Sequence, residues 1–352
     1  DGCWGHSRPM GSETHRGRGG RATITALAAG TVLTLAGCGG ASSPGFGPAA
    51  EPAESPPVKV KPAGKVVDIG AGAEGLAFDE TSGSIALGLR EDYRLAFVDP
   101  GRMSIEFQVP IPNPVRHLAV SPEGVVAVPA ESATSAFEVT ATRGVVAEVP
   151  AGEHPHDAVY ADGKLFAAGE FSDTVSVIRD GKVIESLPAP VQPGGIAAVG
   201  DRYLALIAVS ERVLQVYDAR SNEVLGVTDA GTGPTHIETL GDEAYVADTE
   251  GDVIRRFRIG SKPVETAKVA APGTPYGIAV DSRRKRVWVT LTATNRLIGY
   301  SVAGPEMKKF ATYPTIRQPN SVTVDPGNGD VFIASRTEGQ LERISPGGDG
   351  EG

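Results

Sequence analysis

The sequence predicts an all-β fold, a ring of seven four-stranded antiparallel sheets, and three observations carry that prediction. First, one phrase recurs seven times: a turn, a small or polar residue, then an alternating apolar strand. The copies read Gly75-Leu76-Ala77-Phe78, His117-Leu118-Ala119-Val120, Asp157-Ala158-Val159-Tyr160, Gly195-Ile196-Ala197-Ala198, His236-Ile237-Glu238-Thr239, Gly277-Ile278-Ala279-Val280 and Ser321-Val322-Thr323-Val324. Their first residues are 42, 40, 38, 41, 41 and 44 positions apart, and a period of about 40 residues with about four short strands marks a β-propeller. Second, 45 Gly and 27 Pro among 352 residues suit a chain dense in turns. Third, the last repeat runs out after three strands, while Lys65-Val66-Val67-Asp68-Ile69 stands unpaired before the first repeat. Joining the two would complete the last blade, close the ring and remove an exposed edge.

The elements follow in chain order. Arg16, Arg18 and Arg21 precede a short apolar run, residues 22–36, too short and too rich in small residues for a membrane span. The run ends in Leu35-Ala36-Gly37-Cys38, which resembles the lipobox of bacterial lipoproteins. That resemblance implies a signal segment over residues 1–38, a lipid on Cys38, and export to the outer face of the cell membrane. Residues 1–9 fit no part of such a signal and are read as non-native. The other cysteine, Cys3, lies upstream, so the mature domain has no disulfide and no thiol nucleophile.

Residues 39–63 are mostly Gly, Ala, Ser, Pro and Glu. This composition predicts a disordered linker, reaching roughly 70 Å at most if fully extended. The propeller is expected over residues 64–346 and a disordered tail over 347–352. Net charge is −10 with no basic stripe, which excludes nucleic acid as a partner. A monomer is expected.

One repeat shows the wiring. Tyr276-Gly277-Ile278-Ala279-Val280 reads as a strand and residues 281–285 as a polar turn. Arg286-Val287-Trp288-Val289-Thr290 reads as the second strand, Ala293-Thr294-Asn295 as a turn and Arg296-Leu297-Ile298-Gly299-Tyr300 as the third strand. Residues 307–313 supply the fourth. Gly, Asn and Asp fill the hairpin turns because they tolerate positive φ. The basic run Arg283-Arg284-Lys285-Arg286 reads as a solvated loop.

Pro275-Tyr276-Gly277-Ile278-Ala279-Val280-Asp281 with Val287-Trp288-Val289-Thr290, and Pro319-Asn320-Ser321-Val322-Thr323-Val324-Asp325 with Val331-Phe332-Ile333-Ala334, resemble YVTN/NHL-type propeller repeats. They are similar also to streptogramin-lyase and gluconolactonase-like propellers. The resemblance covers residues 64–346 and implies fold more strongly than activity.

In a propeller, the starts of the innermost strands share one face with the loops between second and third strands. This places Glu74, Arg116, His117, His156, Asp157, Thr235, His236, Tyr276, Asn320 and Ser321 in an inner ring at the channel mouth. Arg90, Glu131, Glu170, Asp248, Asn295 and Arg336 form an outer ring. Every histidine of the mature domain falls on or beside this rim, and imidazole with carboxylate can hold a metal or act as an acid–base pair. Polar residues also line wet channels with no catalytic duty.

Two functions are consistent with this rim. One is a binding module, whose ligand or partner protein meets Glu74, Arg90, Arg116, Asp157, Tyr276, Asn320 and Arg336. The other is implied by the lyase resemblance: His236 as general base, assisted by His117 and His156, with Glu131, Glu170 or Asp248 near a divalent metal (Mg or Ca). The repeats lack the Gly-Leu-Trp-Phe-Thr-like phrase of those lyases, and Trp288 is the one tryptophan of the domain. No Gly-x-Ser-x-Gly elbow, EF-hand loop, cysteine-based zinc site or WD40 signature pair is present. Gly70 to Gly75 approaches dinucleotide-fingerprint spacing, but it opens a strand and not a helix.

Overall fold

The computed structural model describes residues 46–347. Residues 1–45, on which the expected signal segment and Cys38 fall, and residues 348–352 lie outside the described residues. Seven four-stranded antiparallel sheets form the domain. Their innermost strands, blades 1 to 7 in order, are Ala73–Asp79, Ala119–Val120, Pro155–Ala161, Pro193–Val199, Pro234–Leu240, Pro275–Asp281 and Pro319–Val324. In blade 6 the remaining strands are Arg286–Leu291, Arg296–Ser301 and Lys308–Pro314, one residue later than expected for the fourth. Its two tight turns hold Lys285 and Asn295 at φ 51° and 49°.

The ring closes as the orphan strand predicts. Lys65–Asp68 pairs antiparallel with Gln340–Ile344, Lys65 opposite Arg343 and Asp68 opposite Gln340. Successive strand residues face opposite sides. Val66 therefore packs with Trp288, Val331 and Ile333, while Val67 packs with Ile85, Phe332 and Leu341. One four-residue strand thus joins blade 7 to both neighbours. The core lies between adjacent blades, where facing sheets interdigitate Trp288, Tyr217, Tyr245, Tyr300 and Phe332, all fully buried.

Five inner strands begin at proline, which needs no ladder donor at a strand's first residue. Just after it the register slips. Pro155 faces Gly169 but Asp157 faces Ala168, and Pro234 faces Asp248 but His236 faces Ala247. Pro193, Pro275 and Pro319 start similar slips. Blade 2 departs, with an inner strand of only two residues. Pro112, Pro114 and Pro122 flank it and remove the donors a longer ladder would use.

Residues 46–63 correct the expectation of a disordered linker. They have no strand or helix but are bonded along the rim. Gly47 N donates to Ser210 O at 3.1 Å, and Ser210 Oγ donates to Gly47 O at 2.7 Å. Ser55 is buried and its N donates to Gln318 Oε1 at 2.8 Å. Gln318 Nε2 donates to Ala53 O at 3.0 Å, and Asn295 Nδ2 to Pro56 O at 2.8 Å. Composition overlooked this because most of the ordering comes from backbone groups of the segment, joined by the Ser55 hydroxyl on Thr292 O and the Glu54 pair with Arg317. The basic run behaves as expected: Arg283 meets Glu80 at 3.0 Å and Arg284 meets Asp281 at 3.3 Å.

Candidate functional site

The register slips build the mouth. Each leaves residues outside the ladder: His156 in blade 3, Thr235 in blade 5, Tyr276 in blade 6, Asn320 in blade 7, and Glu74 in blade 1. A bulge re-aims its side chain, and all five are buried at the head of the channel. The following positions face the lumen, so the repeat phrase's first residues Gly75, His117, Asp157, Gly195, His236, Gly277 and Ser321 line one cavity of ≈ 650 Å³. Gly75 is required there: its φ is +78°, and a Cβ would collide with the Arg116 carbonyl.

An ion-pair network fills the mouth on the side of blades 1 to 3. Arg90 bridges Glu74 and Glu131 at 3.3 Å each. Arg116 stands 3.9 Å from Glu74 and 3.8 Å from Glu131 and donates to the Tyr276 hydroxyl at 3.5 Å. Arg336 lies 3.8 Å from Glu74. His156 Nδ1 sits 3.0 Å from both Glu131 Oε1 and Glu170 Oε2. One N–H shared between two carboxylates points straight at neither, and Nδ1 and Glu131 Oε1 lack well-aligned hydrogen bonds. Gln192 Nε2 donates to Glu170 Oε1 at 2.9 Å.

The three histidines form a row. Ring centroids are 4.6 Å apart for His117 and His156 and 5.4 Å for His117 and His236, and His236 meets Tyr276 edge-on at 4.5 Å. Their charges differ. Burial opposes a charge on His156, but the Glu131 and Glu170 carboxylates outweigh it and push its pKa up to about 9. Burial, then His156, His236 and Arg116, hold His117 well below the usual range. Burial, with Arg116 and His156 beside it, pushes His236 down to about 3. Burial would raise Glu170, yet His156 takes it down to about 2. At neutral pH the row is one imidazolium and two neutral imidazoles.

Two acids line the same lumen, Asp157 at the strand position that His236 takes in blade 5 and Glu238 two residues further along that strand. Asp157 accepts from Ala158 N at 2.8 Å and Ile196 N at 2.9 Å, and burial pushes it up to about 6. Burial and the nearby Asp157 push Glu238 up to about 7. Both side chains line the lumen, but the surrounding wall of protein keeps their ionised forms poorly solvated. Glu238 and Gln192 were not singled out from the sequence. Glu238 is the third residue of the blade 5 phrase, and period-2 alternation with His236 is the signal that finds it.

Among the candidates, Glu74, Arg90, Arg116, His117, Glu131, His156, Glu170, His236, Tyr276 and Arg336 share the mouth. Asp248 does not join them. It is fully buried and ties a loop together, accepting from Thr232 N, Gly233 N and Gly251 N and meeting Arg255 Nε at 2.9 Å. Asn295 is buried under residues 46–63, with its Oδ1 accepting from Gln318 N at 3.1 Å. Thr235 bonds Thr249 at 2.7 Å. His154 is exposed beside Phe171.

The residues present do not fit a divalent metal. His156, Glu131 and Glu170 do meet, but among the described residues no group of three or more His, Cys, Asp and Glu is arranged to hold a metal ion. Glu131 and Glu170 already face the His156 N–H, and Arg90 and Arg116 stand where a cation would approach Glu131.

No family model matches the chain, and no curated protein matches it in sequence. Solved structures do match its shape. A virginiamycin B lyase from Staphylococcus aureus is 16% identical, with TM-score 0.67 over 80% of this chain and 98% of that one. The WD40 repeats of RRP9 are 10% identical, with TM-score 0.69 over 78% and 94%. A chain of the mitotic checkpoint complex is 13% identical, with TM-score 0.70 over 85% and 96%. At such identities the likeness establishes the β-propeller fold, which hosts both lyases and WD40 modules.

Proposed function

We propose that this chain is an exported propeller, lipid-anchored at Cys38, that binds a small molecule or a protein segment at its channel mouth without turning it over. The observation that carries this reading is the fixed charge of the mouth. General acid–base catalysis needs a group whose pKa lies near the working pH. Here His156 is pushed to about 9 and His236 to about 3, and the carboxylates of Glu74, Glu131 and Glu170 are each engaged by arginine or imidazolium. Such a network holds shape and presents hydrogen-bonding groups; the lumen groups that do titrate near neutrality, Asp157 at about 6 and Glu238 at about 7, stand outside it and are the acids or bases that the lyase reading would need.

The lyase or lactonase reading rests on neutral His236 against Tyr276 and on the shared shape of a known lyase. The metal that reading implies has no fitting set of ligands among the described residues of this mouth.

The test compares wild type with Arg116→Ala, each immobilised, on a cell-envelope extract. The expected result is a component retained by wild type and lost with Arg116→Ala. A parallel assay of cyclic ester opening with Mg²⁺ or Ca²⁺ is expected to show no turnover. Turnover abolished by His236→Ala would overturn the binding reading.

A further inference from the structure

Residues 46–63 carry a second consequence of being fixed to the rim. They run from Ser210 in blade 4, past Gly233 in blade 5, to Thr292 and Asn295 in blade 6 and Gln318 in blade 7. All of these positions belong to the face that carries the mouth. Gly47, where the segment is pinned by two hydrogen bonds, is only nine residues from Cys38. Nine residues reach about 32 Å when fully extended, at about 3.5 Å each.

The opposite face is out of that range. From Ser210, in the loop joining the second and third strands of its blade, a chain must first travel outward. It must pass strands about 4.8 Å apart and then descend a six-residue strand of about 20 Å. Adding the turns, the leader is spent at the lower rim, before that face could lie along a bilayer. A lipid on Cys38 therefore keeps the opposite face off the bilayer and tethers the propeller from the rim of its mouth-bearing face.

The surface of that face agrees. Phe171, Phe46 and Tyr93 are 68%, 56% and 51% exposed, and all three lie on it. Aromatic side chains, with one apolar face and a polar edge, suit a membrane–water boundary. The rim also carries exposed Glu91, Asp92, Glu153 and Glu250, which repel anionic headgroups and keep the face from seating flush on them.

Resting on the binding reading and on lipidation of Cys38, we propose that the mouth faces the carrying membrane across a gap of at most about 30 Å. The ligand of the mouth is then a membrane-borne molecule, presented from the bilayer and not from the bulk medium.

The test uses the lipidated protein in phosphatidylcholine vesicles that contain an acceptor-labelled lipid. Lipidation consumes the thiol of Cys38, so an added cysteine is the single labelling site. Phe171→Cys reports the mouth face, and Asp201→Cys, in an exposed turn of blade 4, reports the opposite face. A face difference on the scale of one strand, about 20 Å, gives energy transfer at least about twofold higher at position 171. Inserting about 20 Gly/Ser residues between Cys38 and Gly47 lengthens the tether and is expected to abolish that difference, with the propeller's melting retained.

Equal or reversed transfer in protein that floats with the vesicles overturns the orientation while leaving lipidation standing. Flotation of Cys38→Ser as efficient as wild type overturns the anchor itself, and the orientation with it. Retention of an envelope component by the mouth is read separately, so failure of the binding reading is distinguishable from both.

Discussion

Replacing His156 with Gln tests the charge assignment at the mouth. The substitution keeps an N–H donor and similar bulk but cannot carry charge. Raising the His156 pKa from 6.5 to about 9 corresponds to about 3 kcal/mol, at about 1.4 kcal/mol per pH unit. The folded-state pKa lies above the unfolded one. The stabilisation is therefore complete below about pH 6.5 and lost as pH rises through about 9. The side chain is only 6% exposed, so solvent screens little of it.

The assay is thermal unfolding of wild type and His156→Gln at about pH 6 and about pH 10. Subtracting the two proteins removes the titrating groups that are not coupled to His156, and the coupled Glu170 and His236, held at about 2 and about 3, do not titrate between these two pH values. Wild type is expected to exceed the variant by about 3 kcal/mol more at the lower pH, or about 6 °C for a domain of this size. The loss of shape and contacts in the variant is common to both conditions and cancels. A stability gap of the same size at both pH values would refute a charged His156 between Glu131 and Glu170.

Further outcomes follow from other parts of the ring. Glu238→Gln is expected to change melting little at about pH 4.5 but to raise it at about pH 8, because a carboxyl pushed up to about 7 costs the native state stability once the unfolded chain ionises; equal effects at both pH values would exclude burial as the cause. Gly75→Ala should cost more than about 1 kcal/mol in a denaturant titration, since φ is positive and the Cβ has no room. Val67→Asp in the closing strand should cost about 1–3 kcal/mol by placing a carboxylate at the half-buried edge of the cluster that holds Ile85, Phe332 and Leu341, and a cooperative, unshifted melt would argue that closure contributes little. Gln318→Ala removes two hydrogen bonds to residues 53–55 and should expose residues 46–63 to limited proteolysis while the blades stay intact.

The repeat phrase, with its 38 to 44 residue spacing, determined the number of blades. The strand missing from the last repeat determined how the ring closes, because local alternation and turn chemistry are written in consecutive residues. The same phrase placed His117, Asp157 and His236 on the lumen and brought the mouth's chemistry to one face. The tertiary structure decided what lay outside local pattern. It moved Asp248 out of the mouth, because loop N–H groups and Arg255 surround its carboxylate from residues that a strand pattern cannot bring together. It assigned opposite charge states to His156 and His236, two residues alike in sequence, because only one stands between carboxylates from two blades. It also fixed residues 46–63 to the rim, since a segment with few apolar side chains was held through its backbone by Ser210, Asn295 and Gln318, up to 265 residues away.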